Sequence, residues 1–111
     1  MHRVLAIVGP TAVGKSWLGM RLAEALPGEI INADALQAYR GLDLGTAKPS
    51  RQDRQRIPHH LIDIRDPQEK FSAGAFARLA TECIDGIRQR HRRPIVVGGS
   101  GLYLRALLDG M

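Results

Sequence analysis

Gly9-Pro-Thr-Ala-Val-Gly-Lys-Ser16 fills every fixed position of G-x-x-x-x-G-K-[ST], the phosphate-binding P-loop. Gly9 and Gly14 permit the backbone geometry that aims successive N–H groups at phosphate oxygens, with Pro10, Thr11, Ala12 and Val13 forming the turn between them. The N-terminus of the following helix adds its partial positive charge. Lys15 neutralises phosphate charge, and the Ser16 hydroxyl is placed to reach Mg²⁺ or a phosphate oxygen. The apolar run Val4 to Val8 precedes the motif and a helical pattern follows it, the context a P-loop requires. A substrate bearing a diphosphate or triphosphate is therefore expected.

Asp34 is the next candidate, just past the apolar stretch Glu29 to Asn32. A carboxylate there can bind Mg²⁺ through water, act as a general base, or cap a turn, and the residues alone leave the three open. No apolar strand runs directly into Asp or Glu as a Walker B strand does; Ile95-Val96-Val97 leads into glycine, and the guanine motif N-K-x-D is absent. A motor-type NTPase is disfavoured on both counts. His59-His60 invites a zinc reading, but neighbours on a strand face opposite sides, and Cys83 lies on the apolar face of a helix. The pair reads as structural, and Cys83 as a small packed residue. Arg88, Arg90, Arg92 and Arg93 cluster at a predicted helix C-terminus, where the helix dipole favours cations.

The elements that must position these residues alternate. Arg3 to Val8 is expected as a short, fully buried strand and Lys15 to Leu26 as a helix with Leu18, Leu22, Ala25 and Leu26 on its apolar face. Glu29 to Asn32 reads as a second strand, and residues 41–58 as a long loop with one exposed helical turn. His60 to Ile64 reads as a further strand. Ser72 is expected to cap a helix running to Arg90, with Phe76, Leu79, Ala80, Cys83, Ile84 and Ile87 on one face. Ile95 to Val97 is a buried strand, and Gly98-Gly99-Ser100-Gly101 turns into a last helix from Leu102. The alternation predicts an α/β fold, a P-loop NTPase-like parallel sheet flanked by helices. In such sheets ligands bind beyond the carboxyl ends of the strands. The P-loop, Asp34 and the Gly-Gly-Ser-Gly turn are all expected at that end, converging on one cleft.

At 111 residues, 44% of them apolar, the chain makes one small domain. No run approaches the length needed to span a membrane, and one cysteine leaves no internal disulfide, so a reducing cytoplasm is expected. Sixteen Lys plus Arg against eleven Asp plus Glu give a net charge of +5, which favours polyanionic partners.

Taken together, GPTAVGKS at 9–16, INADALQAYRGLDLGTAKP at 31–49, PHHLIDIRDP at 58–67, FSAGAF at 71–76 and VGGSGLYLRALLDG at 97–110 resemble the N-terminal part of the bacterial tRNA dimethylallyltransferases. The blocks occur in order and cover nearly the whole chain. The resemblance implies transfer of a dimethylallyl group from dimethylallyl diphosphate to the exocyclic amine of the adenosine 3′ to the anticodon, with Mg²⁺. It implies that Gly9 to Ser16 grip the donor diphosphate, with Thr11 to Ser16 closest, and that Asp34 is the general base. Asp34, Ala35, Leu36 and Gln37 would contact the flipped-out adenosine, and Ser100 would help position it. Ala35 stands where the family commonly has Ser, and Ser100 where it commonly has Thr; the second exchange keeps a hydroxyl. Family enzymes are much longer monomers whose further regions grip the anticodon stem-loop of tRNA. Residues 1–111 thus correspond to the P-loop core, expected to bind diphosphate weakly and to be weakly active or inactive alone.

The alternatives are an adenylate isopentenyltransferase, a small-molecule P-loop kinase and a non-catalytic diphosphate-binding module. The GTAKP and HHLIDIRDP blocks favour the tRNA enzyme over the first. A kinase would use ATP in the loop and need a lid with phosphate-clamping arginines, which residues 51–56 (RQDRQR) only imitate.

Overall fold

The computed structural model describes residues 4–8, 13–41, 48–99 and 101–109. Its elements are β1 (Leu5–Val8), α1 (Val13–Ala25), β2 (Gly28–Asn32), a 3-10 turn (Leu36–Ala38), α2 (Arg51–Arg56), β3 (His59–His60), α3 (Ala73–Gln89), β4 (Arg93–Gly98) and α4 (Gly101–Asp109). The strands form one parallel sheet in the order β1-β4-β2-β3. Leu5 pairs with Ile95 and Val8 with Gly98, while Gly28 pairs with Arg93 and Asn32 with Val97. The expected α/β architecture is what the chain adopts.

Successive residues of β2 and β4 serve opposite faces of the sheet. Ile30 and Ile95 pack with Ala23 and Ile57, against Met20 and Leu22 of α1. Ile31 and Val96 pack on the other face with Phe76, Ala80, Ile84 and Ile87 of α3 and Tyr103, Leu104 and Leu107 of α4. Apolar side chains on both faces are the mark of a covered parallel sheet, and all five residues of β2 are buried. β1 departs from this: Leu5 and Ile7 are only half-buried and Ala6 is exposed, because the strand lies at the sheet edge. The expectation of a fully buried first strand is corrected accordingly.

α3 follows its sequence pattern closely. The Ser72 hydroxyl accepts the Ala75 N–H at 3.1 Å, and Phe76, Ala80, Ile84 and Ile87 form its buried stripe. Phe76 stacks on Tyr103 at 4.8 Å between ring centroids, and Phe71 meets Tyr103 edge-on at 5.5 Å. The FSAGAF block and the tyrosine of the GGSGLY block are thus one aromatic cluster.

α1 turns a different face inward from the one predicted. Leu18 and Leu26 are exposed, Ala25 is exposed and Leu22 half-buried, whereas Gly19 and Ala23 are buried against the sheet. A Cβ at Gly19 would lie 2.9 Å from Val97 Cγ2, so the helix approaches too closely for a larger residue. The short P-loop connection draws the helix onto the sheet, and small residues spaced i, i+4 accept that contact.

The predicted strand over His60 to Ile64 is found instead at His59–His60, sharing only His60 with the prediction. Leu61 and Asp63 adopt left-handed backbone (φ 68° and 58°), which ends the extended run. The segment instead bonds the chain after Asp34: Asp63 N–H donates to Gln37 O at 3.1 Å, Ile64 N–H to Ala38 O at 2.8 Å, and Arg40 N–H to Arg65 O at 2.8 Å. The exposed helical turn expected between residues 41 and 58 is α2, capped by the Ser50 hydroxyl on Asp53 N–H.

Candidate functional site

Because all strands run the same way, the connections leaving β1, β2 and β4 gather along one edge of the sheet, with that of β4 between the other two. α1 begins at Val13, so Gly14, Lys15 and Ser16 fall in its first turn at the carboxyl end of β1. This is where the unsatisfied N–H groups and the positive end of the helix dipole lie. Gly9, Pro10, Thr11 and Ala12 lie outside the described residues, as does Ser100.

The connections from β2 and β4 touch. Ala33 N–H donates to Val97 O at 2.8 Å, and a Cβ placed on Gly98 would stand 2.3 Å from the Ala33 carbonyl carbon. Glycine is required at 98 because backbone occupies the place of its side chain. Asp34 and Gly99 each lie one residue beyond this contact, so two of the three expected participants in the cleft adjoin.

Asp34 itself is half-buried and held by Asn32. The Asn32 carboxamide accepts the Asp34 N–H at 3.0 Å and donates to Asp34 O at 2.9 Å and to Leu61 O at 3.0 Å. Asp34 O also accepts Gln37 N–H at 3.2 Å, and Ala35 O accepts Ala38 N–H, which makes the 3-10 turn over Leu36 and Gln37. Ala35 packs at the margin of the aromatic core, and Gln37 is half-buried.

The far side of this turn is tied down by charge. The Lys48 ammonium donates to Tyr39 O at 2.8 Å and to Asp63 Oδ1 at 2.5 Å, and Arg54 donates to Asp63 Oδ2 at 3.0 Å. Burial works to raise the Asp63 carboxyl, but the two cations outweigh it and hold it below the ordinary carboxylate range. The lysine of GTAKP and the HHLIDIRDP block are therefore joined through one ion pair.

The histidines are structural, as expected. His59 Nδ1 donates to Ile57 O at 2.7 Å, and His60 Nε2 bonds Glu29 Oε1 at 2.7 Å. Among the described residues, no three His, Cys, Asp or Glu side chains gather as metal ligands. Cys83 packs against the core, where burial pushes its thiol up.

The basic cluster after α3 does more than answer the helix dipole. Arg90 grips Glu29 through two bonds, at 2.6 and 2.9 Å, and Arg92 approaches it at 3.8 Å. Glu29 is 2% exposed and opposite Pro94, at the start of its strand, so this cluster belongs to the end of the sheet away from Asp34. Asn32, Asp63 and Glu29 were not singled out by sequence reasoning. The available signal was the pattern Glu-Ile-Ile-Asn, two polar residues bounding an apolar strand that is buried on both faces.

Known proteins share this sequence and fold. A tRNA dimethylallyltransferase of Halorhodospira halophila is 61% identical over 97% of the chain, and tRNA dimethylallyltransferase 1 of Pelobacter propionicus is 57% identical over 100% of it. The chain spans 35% and 36% of those relatives' lengths, respectively. The crystal structure of the full-length tRNA isopentenylpyrophosphate transferase of Bacillus halodurans superposes with a TM-score of 0.94 at 49% identity, over 100% of this chain and 37% of that one. A eukaryotic dimethylallyltransferase captured acting on tRNA matches 96% of this chain and 27% of its own, with a TM-score of 0.90 at 38% identity. None of the described helices is long and apolar enough to cross a membrane. The model of the IPP transferase family matches residues 37–111, the greater part of the sequence, and the chain belongs to that family.

Proposed function

We propose that this chain is the donor-binding and base-handling core of a tRNA dimethylallyltransferase, acting on dimethylallyl diphosphate and the anticodon stem-loop of tRNA in the cytoplasm as a monomer. The observation that carries the reading is the contact of Gly98 with Ala33. It brings the connection bearing Asp34 against the one leading to Ser100, on the edge where the P-loop leaves β1.

In this reading Gly9 to Ser16 hold the donor diphosphate, and Asp34 accepts a proton from the adenine exocyclic amine. That amine is a poor nucleophile, because its lone pair is delocalised into the ring. A carboxylate taking the proton as nitrogen bonds to the allylic carbon contributes roughly 10²–10⁴-fold. The carbon–oxygen bond to the diphosphate breaks in the same step, and Lys15 with the loop amides receives the charge that develops on the leaving group. A stacked base cannot reach the donor, so the adenosine flips into the pocket, where Ala35, Leu36, Gln37 and Ser100 surround it. A hydroxyl at the start of α1, rather than a cage of carboxylates, suits an ion that arrives on the diphosphate and keeps most of its water. Ser16 would hold that Mg²⁺, which neutralises diphosphate charge.

The test offers labelled dimethylallyl diphosphate with an anticodon stem-loop or with AMP. Transfer to the stem-loop is expected at a low rate, because most of the length of the relatives lies beyond this chain. Lys15→Ala should weaken diphosphate binding at least tenfold, and Asp34→Ala should slow transfer roughly 10²–10⁴-fold while binding persists. Transfer to AMP alone would establish the nucleotide-specific enzyme instead, and retained turnover in Asp34→Ala would remove the proposed base.

A further inference from the structure

We propose that Asn32 is a positioning residue for this reaction, fixing the backbone of Asp34 so that its carboxylate meets the acceptor amine; the inference rests on the reading of Asp34 as the base. Asn32 ends β2, is 4% exposed, and lies in register with Val97. Its side chain bonds both the N–H and the C=O of Asp34. The N–H belongs to the peptide plane before Asp34 and the C=O to the plane after it. The only torsions between those planes are φ and ψ of Asp34, so holding both planes fixes both torsions and the direction of its Cα–Cβ bond.

The remaining amide hydrogen goes to Leu61 O, where the chain has left-handed backbone. Asn32 therefore ties the Asp34 connection to the segment that holds Gln37 through Asp63 N–H. The geometry needs a donor and an acceptor on one short side chain. Serine has one hydrogen to donate, so it cannot serve both Asp34 O and Leu61 O; aspartate keeps the acceptor but turns a second oxygen against two carbonyls. A buried asparagine placed only to fill space would leave these groups unsatisfied, at a cost natural strands avoid.

Transfer to the anticodon stem-loop is measured in single turnover with the chain in excess, alongside affinity for dimethylallyl diphosphate and amide hydrogen exchange. Asn32→Ala should slow transfer about 10²-fold, the loss typical of a misplaced catalytic group, with donor affinity within about twofold. Asn32→Ser should recover part of the rate. The double variant Asn32→Ala/Asp34→Ala should be no slower than Asp34→Ala, since a positioner has nothing to act on once the base is gone. A further loss in the double variant, or a fall in donor affinity matching the fall in rate, would overturn the proposal.

Hydrogen exchange decides the matter independently of turnover, including the case in which Asp34→Ala shows that Asp34 is not the base. In Asn32→Ala, the Asp34 and Gln37 amides should lose protection while those of Ile95 to Val97 keep it. Unchanged protection at Asp34 and Gln37 would refute the clamp, and loss throughout β4 would reduce Asn32 to a residue of the core.

Discussion

Lys48 illustrates how a charged side chain can serve a site without touching a reactant. Its ammonium is 9% exposed and spans Tyr39 O and Asp63, joining the chain just after the Asp34 turn to the segment that supports it. Lys48→Met keeps the length of the side chain and removes the donors, leaving a part-buried carbonyl short of a partner and Asp63 with Arg54 alone. Such a loss costs about 1–3 kcal/mol. Urea unfolding should show it as a lower midpoint with an unchanged slope. At this scale the sequence was informative where a residue acts locally: the Ser72 cap was recognisable directly. Asn32 and Asp63 were not, because their partners are backbone groups, and a backbone acceptor leaves no trace in the sequence of residue types.

Among the elements, α3 and α1 make an instructive pair. α3 was legible because its stripe of large apolar residues is the surface it buries. α1 misled because its leucines are not its contact surface; Gly19 and Ala23 are. Periodicity reports where bulk lies, and a helix pressed against a sheet by a short connection selects against bulk. Gly19→Ala should therefore be worse than its gain in helix propensity suggests. The new methyl meets Val97 at 2.9 Å, within a contact that already excludes a larger residue. Overpacking of this kind costs about 1–3 kcal/mol. Displacement of the first turn of α1 should also weaken diphosphate binding, whereas Leu18→Ala on the exposed side should do neither. Isothermal titration and thermal unfolding of the two variants separate these outcomes. β3 was overextended in the prediction for a related reason: its apolar residues do alternate, but two left-handed residues convert the run into a support for the turn beside it.

The whole molecule separates its charges by end. The edge beyond the strand carboxyl ends holds Asp34, while Glu29, Arg90, Arg92 and His60 join β2, β3 and the end of α3 near the other. The Arg90 hydrogen bonds hold the Glu29 carboxyl below its ordinary 4.5, against the opposing effect of burial and with help from His60. Its contribution is fully present above pH 4.5 and is lost as the pH falls through the native value. Burial pushes the His59 imidazole below its ordinary 6.5, so unfolded chains take up that proton first and stability begins to decline below pH 6.5. Acid unfolding should thus begin gently near the histidine range and steepen below pH 4.5. Glu29→Gln should flatten the lower limb alone, removing up to about one proton of uptake on unfolding. An unchanged slope would mean that Glu29 is equally acidic in both states. That the connections leaving β1, β2 and β4 share one sheet edge was foreseeable from the alternation of elements. The strand order that sets it was not, since periodicity carries no information about which strands are neighbours.

That order also governs when the protein can begin to exist. β4, which follows the other described strands in sequence, is the one that separates and joins β1 and β2. A nascent chain that has released β1, α1 and β2 holds two strands with no partner between them, and their pairing must wait for residues 93–98 to leave the ribosome. Residues 1–92 are therefore made before β1 and β2 are joined. Pairings between strands so distant in sequence form slowly, and until they do the apolar faces of β1 and β2 stand open to chaperones or to one another. The connections leaving β1 and β2, to which the proposed function assigns the donor and the base, come to one sheet edge only at the end of that wait.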